Sequence, residues 1–352
     1  MTRQEEALNI LKAGTFIPAH PLALTVDRKL DEEKQRMLTR YYLASGVGGL
    51  AVAVHTTQFE IRDPKIGLLE PVLKIAAEEI EAFENKTGKV IVKVAGVCGP
   101  LHQAVEEAKT ALRLGYDAVL LSPGGLNNLS EEELLKRSEE VAKIIPVIGF
   151  YLQKSVGGRK LTFDYWKKFC EINNVVAIKA APFNRYETLD VVRAVAFSSR
   201  KDQIALYTGN DDNIVIDLLT KYKFSKDGKA YEKYFVGGLL GHWSVWTHTA
   251  VKLFEQLKEA AKSEMIPTKL LTLAMEVTDA NAAFFDTAND FKGCITGLHE
   301  VLRRQGILAG IWCLNEKETL SPGQAEEIQR VYDMYPHLND DEFIEANKEK
   351  WM

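Results

Sequence analysis

Eight short apolar runs, separated by charged amphipathic stretches, recur through the first three quarters of this chain. The runs are rich in β-branched and small apolar residues and lack the strict alternation of half-exposed strands. Strands buried on both faces of a parallel sheet have this character, and the intervening stretches show helical periodicity, as in AVEEAKTALRLG from Ala104. The eight runs begin at Gly14, Gly48, Val90, Asp117, Ile145, Val175, Ile204 and Phe235.

Alternating β and α units about 30 residues apart imply right-handed βαβ crossovers, and eight such units close into a (β/α)₈ TIM barrel. A doubly wound open sheet is the main alternative, but it usually has fewer strands, and no GxGxxG follows the first run. We therefore predict an α/β fold with a barrel and a short N-terminal helix in residues 1–265. Residues 266–352 are predicted to form an appended C-terminal helical subdomain for packing or subunit contact, with helices from Pro267 and from Gln305 to Trp312.

Composition excludes several functional classes. The formal net charge is -5 and no basic patch is present, which argues against nucleic acid as a partner. No apolar run resembles a signal peptide or a membrane span, so we expect a cytoplasmic protein without a membrane partner. The four cysteines are far apart without a CxxC pair, which argues against a zinc knuckle and a disulfide framework.

Active sites of such barrels lie at the carboxyl ends of the strands, so polar residues directly after each apolar run are the candidates. This rule selects His20, His55, Thr56, Thr57, Ser122, Tyr151, Lys179, Asn210, Asp211, Asp212, His242 and Trp243.

Lys179 interrupts the otherwise apolar strand VVAIKAAPF. Burial of an unpaired ammonium is penalised by desolvation, which lowers the lysine pKa toward neutrality. A neutral amine attacks carbonyls to form a Schiff base, and the iminium is an electron sink for carbon–carbon cleavage, condensation or dehydration. The structural alternative is a lysine that snorkels to solvent or joins an ion pair.

Residues at the ends of three other apolar runs support this chemistry. Tyr151 ends the preceding run and is expected to face the same mouth as Lys179, where a phenol can relay protons. Thr56 and Thr57 offer hydroxyls and backbone N–H groups as a cradle for a carboxylate. Asp211 and Asp212 follow the seventh run and either bind substrate hydroxyls or cap the next helix.

These residues resemble the dihydrodipicolinate synthase / N-acetylneuraminate lyase superfamily from about Gly14 to Lys262. VHTTQ stands where the family has its GTTGE-type loop, FYLQ where it has a YN-type strand end, and AIKAA where it has GIKE. The resemblance implies a Schiff base on Lys179, proton transfer by Tyr151 and carboxylate binding by Thr56 and Thr57. It also implies that Gly209 is the glycine of an SGDD-type segment and that Asp211 and Asp212 contact substrate hydroxyls.

Departures from the family pattern disfavour the lysine-biosynthesis reaction. Gln58 and Phe59 replace the second glycine and the glutamate of the first loop. Gly124 and Gly125 stand where those synthases lend a tyrosine to a neighbouring subunit, and Val156 stands at their arginine position, with Arg159 close by. His242 and Trp243 are candidates for the pocket mouth, although Trp243 is better explained by packing.

The sequence thus predicts a lyase or aldolase acting on pyruvate or a 2-keto-3-deoxy sugar acid, with no cofactor and no metal. A dehydratase using the same iminium, a barrel without catalysis that binds a ligand, and a metal-dependent aldolase remain alternatives. Strand-end histidines raise the metal alternative, but no carboxylate has ligand-like spacing with them. By resemblance we expect a homo-oligomer, either a dimer or a tetramer.

Overall fold

A computed structural model describes all 352 residues and shows eight parallel strands that alternate with helices. The barrel strands are β1 (Phe16–Pro18), β2 (Gly49–Val52), β3 (Val92–Val97), β4 (Ala118–Leu121), β5 (Val147–Leu152), β6 (Val175–Ala181), β7 (Ala205–Thr208) and, after a two-stranded insertion, β10 (Gly237–Leu240). Each of the eight coincides with one predicted apolar run, although β3 and β5 extend one residue further, so the (β/α)₈ prediction is confirmed.

The strands follow one another in order around the barrel, with β10 paired to both β7 and β1. Closure between β1 and β2 is made by a parallel bridge between Ala19 and Ala51, and the His20 N–H donates to the Ala51 carbonyl at 2.8 Å. The closed barrel therefore leaves no free sheet edge.

Helices surround the barrel and cover its outer face. They are α1 (Arg3–Ala13), α2 (Glu32–Ser45), α3 (Leu69–Thr87), α4 (Leu101–Arg113), α5 (Glu131–Ala142), α6 (Phe163–Cys170), α7 (Arg185–Phe197), α8 (Ile214–Leu219) and α9 (Thr247–Ala260). No helix of the structure combines the length and the apolar character that a membrane span requires.

Helix α1 closes the amino-terminal end of the barrel. Its Ala7 and Leu11 belong to the same apolar cluster as the inward-facing strand residues, and the Leu11 carbonyl accepts a hydrogen bond from the Tyr207 hydroxyl at 2.7 Å. Arg3 binds the carboxylates of Asp117 and Glu84 below the strands. The barrel interior is thus sealed at this end, and a ligand has to enter from the carboxyl end of the strands.

A β-hairpin, β8 (Tyr222–Lys226) and β9 (Lys229–Lys233), lies between α8 and β10. Its turn is Asp227-Gly228, with φ of 50° and 72° at the two residues. An Asp-Gly pair flanked by alternating residues is a strong hairpin signal, because type I′ turns require positive φ at both positions. The sequence contains this signal, but the prediction of eight βα units did not include the hairpin.

The C-terminal region contains α10 (Lys269–Phe284), α11 (Cys294–Arg304), α12 (Gln324–Met334) and α13 (Asp341–Asn347). The helix predicted from Pro267 is confirmed as α10, whereas the helix predicted from Gln305 to Trp312 is wrong. Gly306 adopts φ of 77° directly after α11, and the Ile307 N–H turns back to the Leu302 carbonyl, so the glycine ends the helix there.

The C-terminal helices share one apolar core with the outside of the barrel. Trp246, just before α9, contacts Phe284 and Tyr332 with ring centroids 4.8 and 5.0 Å apart. The hydroxyl of Tyr41 on α2 donates to Asp340 at 2.7 Å. Residues 266–352 are therefore packed on the barrel through buried aromatic and polar contacts, and they reach its carboxyl end.

Candidate active site

Lys179 points into the barrel from the carboxyl-terminal half of β6. Only 8% of the residue is exposed, and its Nζ forms neither a hydrogen bond nor an ion pair within the chain. The Nζ lies 4.5 Å from the centroid of the Phe150 ring. Burial lowers the pKa of Lys179 to about 8, against the opposing attraction of Asp211. An appreciable fraction of this amine is therefore neutral near pH 7, as a nucleophile requires.

Gly209 provides the space that the Lys179 side chain occupies. A Cβ at position 209 would lie 2.4 Å from Lys179 Cε and 2.7 Å from the Ala181 methyl group. These distances are far below ordinary carbon–carbon contacts. Gly209 is thus needed for the lysine to reach across the end of β7.

Lys179 opens into a small cavity of about 60 Å³ at the carboxyl end of the strands. One buried water needs roughly 10–15 Å³ on this scale, so the cavity has room for a molecule of a few heavy atoms. Besides Lys179 and Gly209, its walls are formed by Ala19, Val54, His55, Thr56, Leu120, Phe150, Leu152, Gln153, Val156, Ala181, Phe183, Asp211, Gly241, Phe285 and Cys294.

Asp211 is the acidic group of this cavity. Burial raises its pKa to about 7, although the positive charge of Lys179 and the His242 N–H, which donates to Oδ1 at 2.8 Å, both favour the carboxylate. The amine and the carboxyl group therefore have pKa values displaced toward one another. A pair of this kind can exchange protons with a bound substrate near neutral pH.

A buried network fixes the loop that carries Asp211. Asp217 on α8 accepts hydrogen bonds from the Thr208 hydroxyl at 2.7 Å and the Asn210 amide at 2.9 Å. The Asn210 carbonyl oxygen accepts from the Phe183 N–H at 3.1 Å and so ties this loop to the one after β6. Asn210 is thus a positioning residue whose side chain has no free group for substrate.

Thr56 and His55 form the opposite wall, on a short 3₁₀ helix (His55–Thr57) after β2. The Thr56 hydroxyl is buried without a hydrogen-bond partner, so it can accept or donate to a ligand. Burial, with the charge of Lys179, lowers the pKa of His55 to about 4, which keeps its imidazole neutral. Thr57 differs, because its hydroxyl donates to the His20 carbonyl at 2.6 Å and Thr57 does not line the cavity.

The prediction that Tyr151 faces the same mouth as Lys179 is wrong. Phe150 is the residue in register with Lys179, and Tyr151 pairs with Ala180 on the outward face. The Tyr151 ring packs against Trp166, and its hydroxyl accepts from the Leu161 N–H at 3.2 Å. Successive residues of a strand face opposite sides. Tyr151 is one position after the inward-facing Phe150, so its phenol lies in the layer between barrel and helices and not in the cavity.

Two other predicted contacts also lie outside the cavity. Asp212 turns its carboxylate toward Arg185, with 3.7 Å between Oδ1 and the guanidinium, and neither it nor Asp211 caps α8, whose N-cap is Asn213. The His242 imidazole lies in a separate apolar pocket, 3.4 Å from the Asn281 amide, and only its backbone N–H serves the site through Asp211.

The remaining strand-end residues have structural partners. Trp243 stacks on Phe16 with ring centroids 3.7 Å apart, as its packing interpretation predicts. The imidazole of His20 is bonded to Thr39 and Gln35 at 2.9 Å each. No group of three or more histidine, cysteine, aspartate or glutamate side chains is arranged to hold a metal ion.

Sequence reasoning missed Phe150, Phe285 and Cys294. Phe150 is adjacent to Tyr151, the residue that the sequence predicted for the site. Only the alternation of side-chain directions along β5 places Phe150 inside the cavity and Tyr151 outside it. Phe285 and Cys294 lie in the C-terminal region, for which the sequence suggested packing or subunit contact alone, and they form part of the cavity roof. No local pattern in the sequence marks these two residues, because their position depends on how α10 and α11 dock on the barrel.

Comparisons with known proteins agree with this architecture. The model of the dihydrodipicolinate synthetase family matches residues 14–221. The chain is 32% identical over 140 residues to 4-hydroxy-tetrahydrodipicolinate synthase of Clostridium novyi, covering 39% of this chain and 46% of that enzyme. It is 25% identical over 245 residues to N-acetylneuraminate lyase of Citrobacter koseri, covering 69% and 74% of the two chains.

Solved structures show the same fold. The crystal structure of dihydrodipicolinate synthase from Oceanobacillus iheyensis matches with a TM-score of 0.74 at 16% identity, over 95% of this chain and 99% of that one. The sequence alignments with 4-hydroxy-tetrahydrodipicolinate synthases, in contrast, span about half of the length of those relatives.

Proposed function

Because this chain belongs to the dihydrodipicolinate synthetase family, we propose that it is a Schiff-base-forming lyase or aldolase acting on pyruvate or a larger 2-keto acid. The observation that carries the proposal is Lys179, a buried amine without a hydrogen bond, with a pKa of about 8, at the wall of a cavity large enough for a small keto acid. A structural lysine would be expected to have an ion-pair partner or access to solvent.

The first chemical step joins the amine to the substrate ketone. The lone pair of neutral Lys179 Nζ attacks C2 and forms a carbinolamine, which loses water to give the protonated iminium. Asp211 can take the proton that the nitrogen releases and supply a proton to the departing hydroxyl, since its pKa of about 7 allows both forms near neutrality. The substrate carboxylate would lie against the unpartnered Thr56 hydroxyl.

Cleavage then uses the iminium as an electron sink. When a base removes the proton of a C4 hydroxyl, the C3–C4 bond breaks and its electron pair forms the C2–C3 double bond of an enamine, while C4 leaves as an aldehyde. Protonation at C3 and hydrolysis of the iminium release pyruvate and regenerate the free amine. Condensation is the reverse sequence of steps.

The proposed proton carrier is Asp211, and neutral His55 also lies at the cavity wall. Tyr151 has no part in the proposal, because its hydroxyl lies outside the cavity. Val156 contributes an apolar wall, and the Arg159 guanidinium is bonded to the Leu129 carbonyl. The absence of a cation other than Lys179 at the cavity supports a substrate other than that of the lysine-biosynthesis synthases.

The proposal is tested by reduction with borohydride in the presence of pyruvate. We expect the intact mass to increase by one reduced pyruvate unit, with peptide mapping placing the adduct on Lys179. Lys179→Met should abolish the adduct, and Lys160→Met, a surface control at a lysine outside the cavity, should leave it unchanged. A chain that remains unmodified by pyruvate and by longer 2-keto acids is not a Schiff-base enzyme.

We also propose that the chain forms a homo-oligomer. Support comes from Leu271 and Met275 of α10, which are 47% and 59% exposed. They are four residues apart and so lie on one face of the helix. Light scattering coupled to gel filtration measures the mass, and a monomer at micromolar concentration would contradict this proposal.

A further inference from the structure

The mouth of the Lys179 cavity is built from residues that follow the strand ends or come from the C-terminal region. The polar ones are His55 and Thr56 after β2, Gln153 after β5 and Asp211 after β7. The others are Val156 after β5, Phe183 after β6, and Phe285 and Cys294 around the end of α10 and the start of α11. None of these last four side chains is charged, and burial raises the pKa of the Cys294 thiol well above its usual range, so it stays neutral. On this side of the mouth, the part of a substrate beyond the reacting carbons therefore meets an apolar surface.

Backbone contacts hold the two phenylalanines in place. Phe183 has a φ of 51°, and its N–H is bonded to the Asn210 side chain of the buried network. Its ring meets Phe291 edge to face, with centroids 5.8 Å apart. The Phe285 N–H is bonded to the Asn281 carbonyl at 2.8 Å. A positive φ at a phenylalanine is uncommon and is kept where the surroundings determine it, so this mouth is a built feature.

Phe285 also packs closely on the barrel. A Cβ added to Gly241 would lie 2.8 Å from Phe285 Cζ, so the glycine after β10 leaves the room that the ring fills. The C-terminal region thus sets the shape of the mouth directly through this side chain.

Several polar groups near the mouth are bonded within the protein. The Asn210 amide bonds to Asp217 and Thr188. Asp212 faces Arg185 at 3.7 Å, but Asp212 Oδ1 and Arg185 Nη2 form no hydrogen bond. The Ser122 hydroxyl accepts from the Gly124 N–H at 3.1 Å. Apart from Asp211 and Thr56 beside the lysine, the polar side chains at the cavity are His55 and Gln153. These side chains can serve one or two hydroxyl groups of a substrate, whereas further hydroxyl groups that lie against Val156, Phe183 and Phe285 would have no hydrogen-bond partner.

We infer that the Schiff-base site takes 4-hydroxy-2-keto acids whose tail beyond C4 is apolar, aliphatic or aromatic, and discriminates against polyhydroxylated sugar acids. This inference rests on the proposed function and narrows its substrate class. The aldehyde released by cleavage of the C3–C4 bond would then be an apolar aldehyde, which the phenylalanines at the mouth can contact through its hydrocarbon surface. Burial of an unpaired hydroxyl against such a surface lowers affinity and turnover for a sugar acid.

Paired substrates test the inference. Pyruvate release is measured with 4-hydroxy-2-oxo-4-phenylbutanoate and 4-hydroxy-2-oxohexanoate, and with 2-keto-3-deoxygluconate as the polyhydroxylated counterpart. We expect kcat/KM for the apolar substrates to exceed that for the sugar acid by about 10²-fold, the discrimination typical of an apolar pocket against added hydroxyls. Equal or faster cleavage of the sugar acid would overturn the inference.

Variants at the mouth connect the preference to these residues. Phe285→Gln and Phe183→Gln should each reduce the ratio of kcat/KM values at least several-fold, while Phe224→Gln on the distant hairpin should leave it unchanged. An unchanged ratio in both mouth variants, with folding confirmed by circular dichroism, contradicts the assignment.

Borohydride trapping with pyruvate distinguishes a wrong substrate assignment from a wrong Schiff-base function. If the adduct forms on Lys179 and neither apolar substrate is cleaved, the substrate assignment is overturned and the Schiff-base function stands. If no adduct forms, both are overturned.

Discussion

Lys179 and Phe150 face one another in register on adjacent strands, with the lysine Nζ 4.5 Å from the centroid of the phenyl ring. The ring removes water from one side of the amine and attracts its cationic form only weakly compared with a carboxylate. Asp211 supplies the opposing negative charge. The reactivity of Lys179 therefore depends on a balance between burial and one acidic neighbour.

The pH dependence of adduct formation should follow this balance. Neutral Lys179 is the nucleophile, so the trapping rate with pyruvate should rise with pH through a midpoint of about 8, the pKa of Lys179, and level off at higher pH. Asp211→Asn removes the charge that raises this pKa, so the midpoint should move to lower pH. Trapping rates measured from pH 5 to 10 test this. A midpoint that moves to higher pH in the variant would contradict the role of Asp211.

Asp211→Asn should also slow complete turnover. Loss of a proton-transfer group typically lowers a rate by about 10²–10⁴-fold. Because the amide cannot carry the proton, the decrease should appear in kcat more than in KM. Asp212→Asn is the matched control, since its carboxylate faces Arg185 outside the cavity, and it should change kcat by less than about threefold.

Gly209→Ala should abolish adduct formation because the new methyl group would lie 2.4 Å from Lys179 Cε and displace the side chain. Gly124→Ala is the control: it lies near the same mouth, and its nearest neighbours, the Leu152 methyl group and the Ser122 hydroxyl, would be 3.2 Å away. The adduct is measured by mass spectrometry and the fold by circular dichroism. Normal modification of the folded Gly209→Ala variant would exclude this account of the lysine position.

Tyr151→Phe should retain adduct formation and turnover within about threefold, because the lost hydroxyl is bonded to the Leu161 backbone outside the cavity. It should lower the free energy of unfolding by about 1 kcal/mol, the net value of one buried hydrogen bond.

Thr56→Val, in contrast, should raise KM for pyruvate about tenfold, through loss of a charge-assisted hydrogen bond to the carboxylate. Steady-state kinetics and urea unfolding of both variants separate the structural role of Tyr151 from substrate binding by Thr56. A large fall in kcat for Tyr151→Phe would show that the tyrosine takes part in catalysis.

Trp246→Ala should destabilise the barrel and the C-terminal helices together. The indole is buried and contacts Phe284 and Tyr332, so its truncation is expected to cost about 3–5 kcal/mol. A single unfolding transition at lower denaturant concentration is expected, because the two regions share one core. Two separate transitions would show that residues 266–352 unfold independently of the barrel.

The sequence was informative wherever a local pattern has one spatial solution. Parallel strands buried on both faces leave continuous apolar runs, and eight of them separated by helices specify the barrel. A lysine at the end of such a run has to lie at the carboxyl end of the barrel, which is why Lys179 could be identified. The threonine pair was selected by the same rule, whereas Gly209 was singled out only by the family resemblance.

Tertiary structure decided the direction of each side chain and the identity of the roof. An extra residue in β6, Val176, shifts the register opposite Val147 and Ile148 of β5. With this register, the pleat of β5 turns Phe150 inward and Tyr151 outward, and the turn after β7 separates Asp211 from Asp212. The register between neighbouring strands fixes which residues face the barrel interior. That register depends on both strands together, so the sequence of one strand alone does not determine it. Phe285 and Cys294 reach the cavity only because α10 and α11 dock on the barrel, through contacts between residues far apart in the chain.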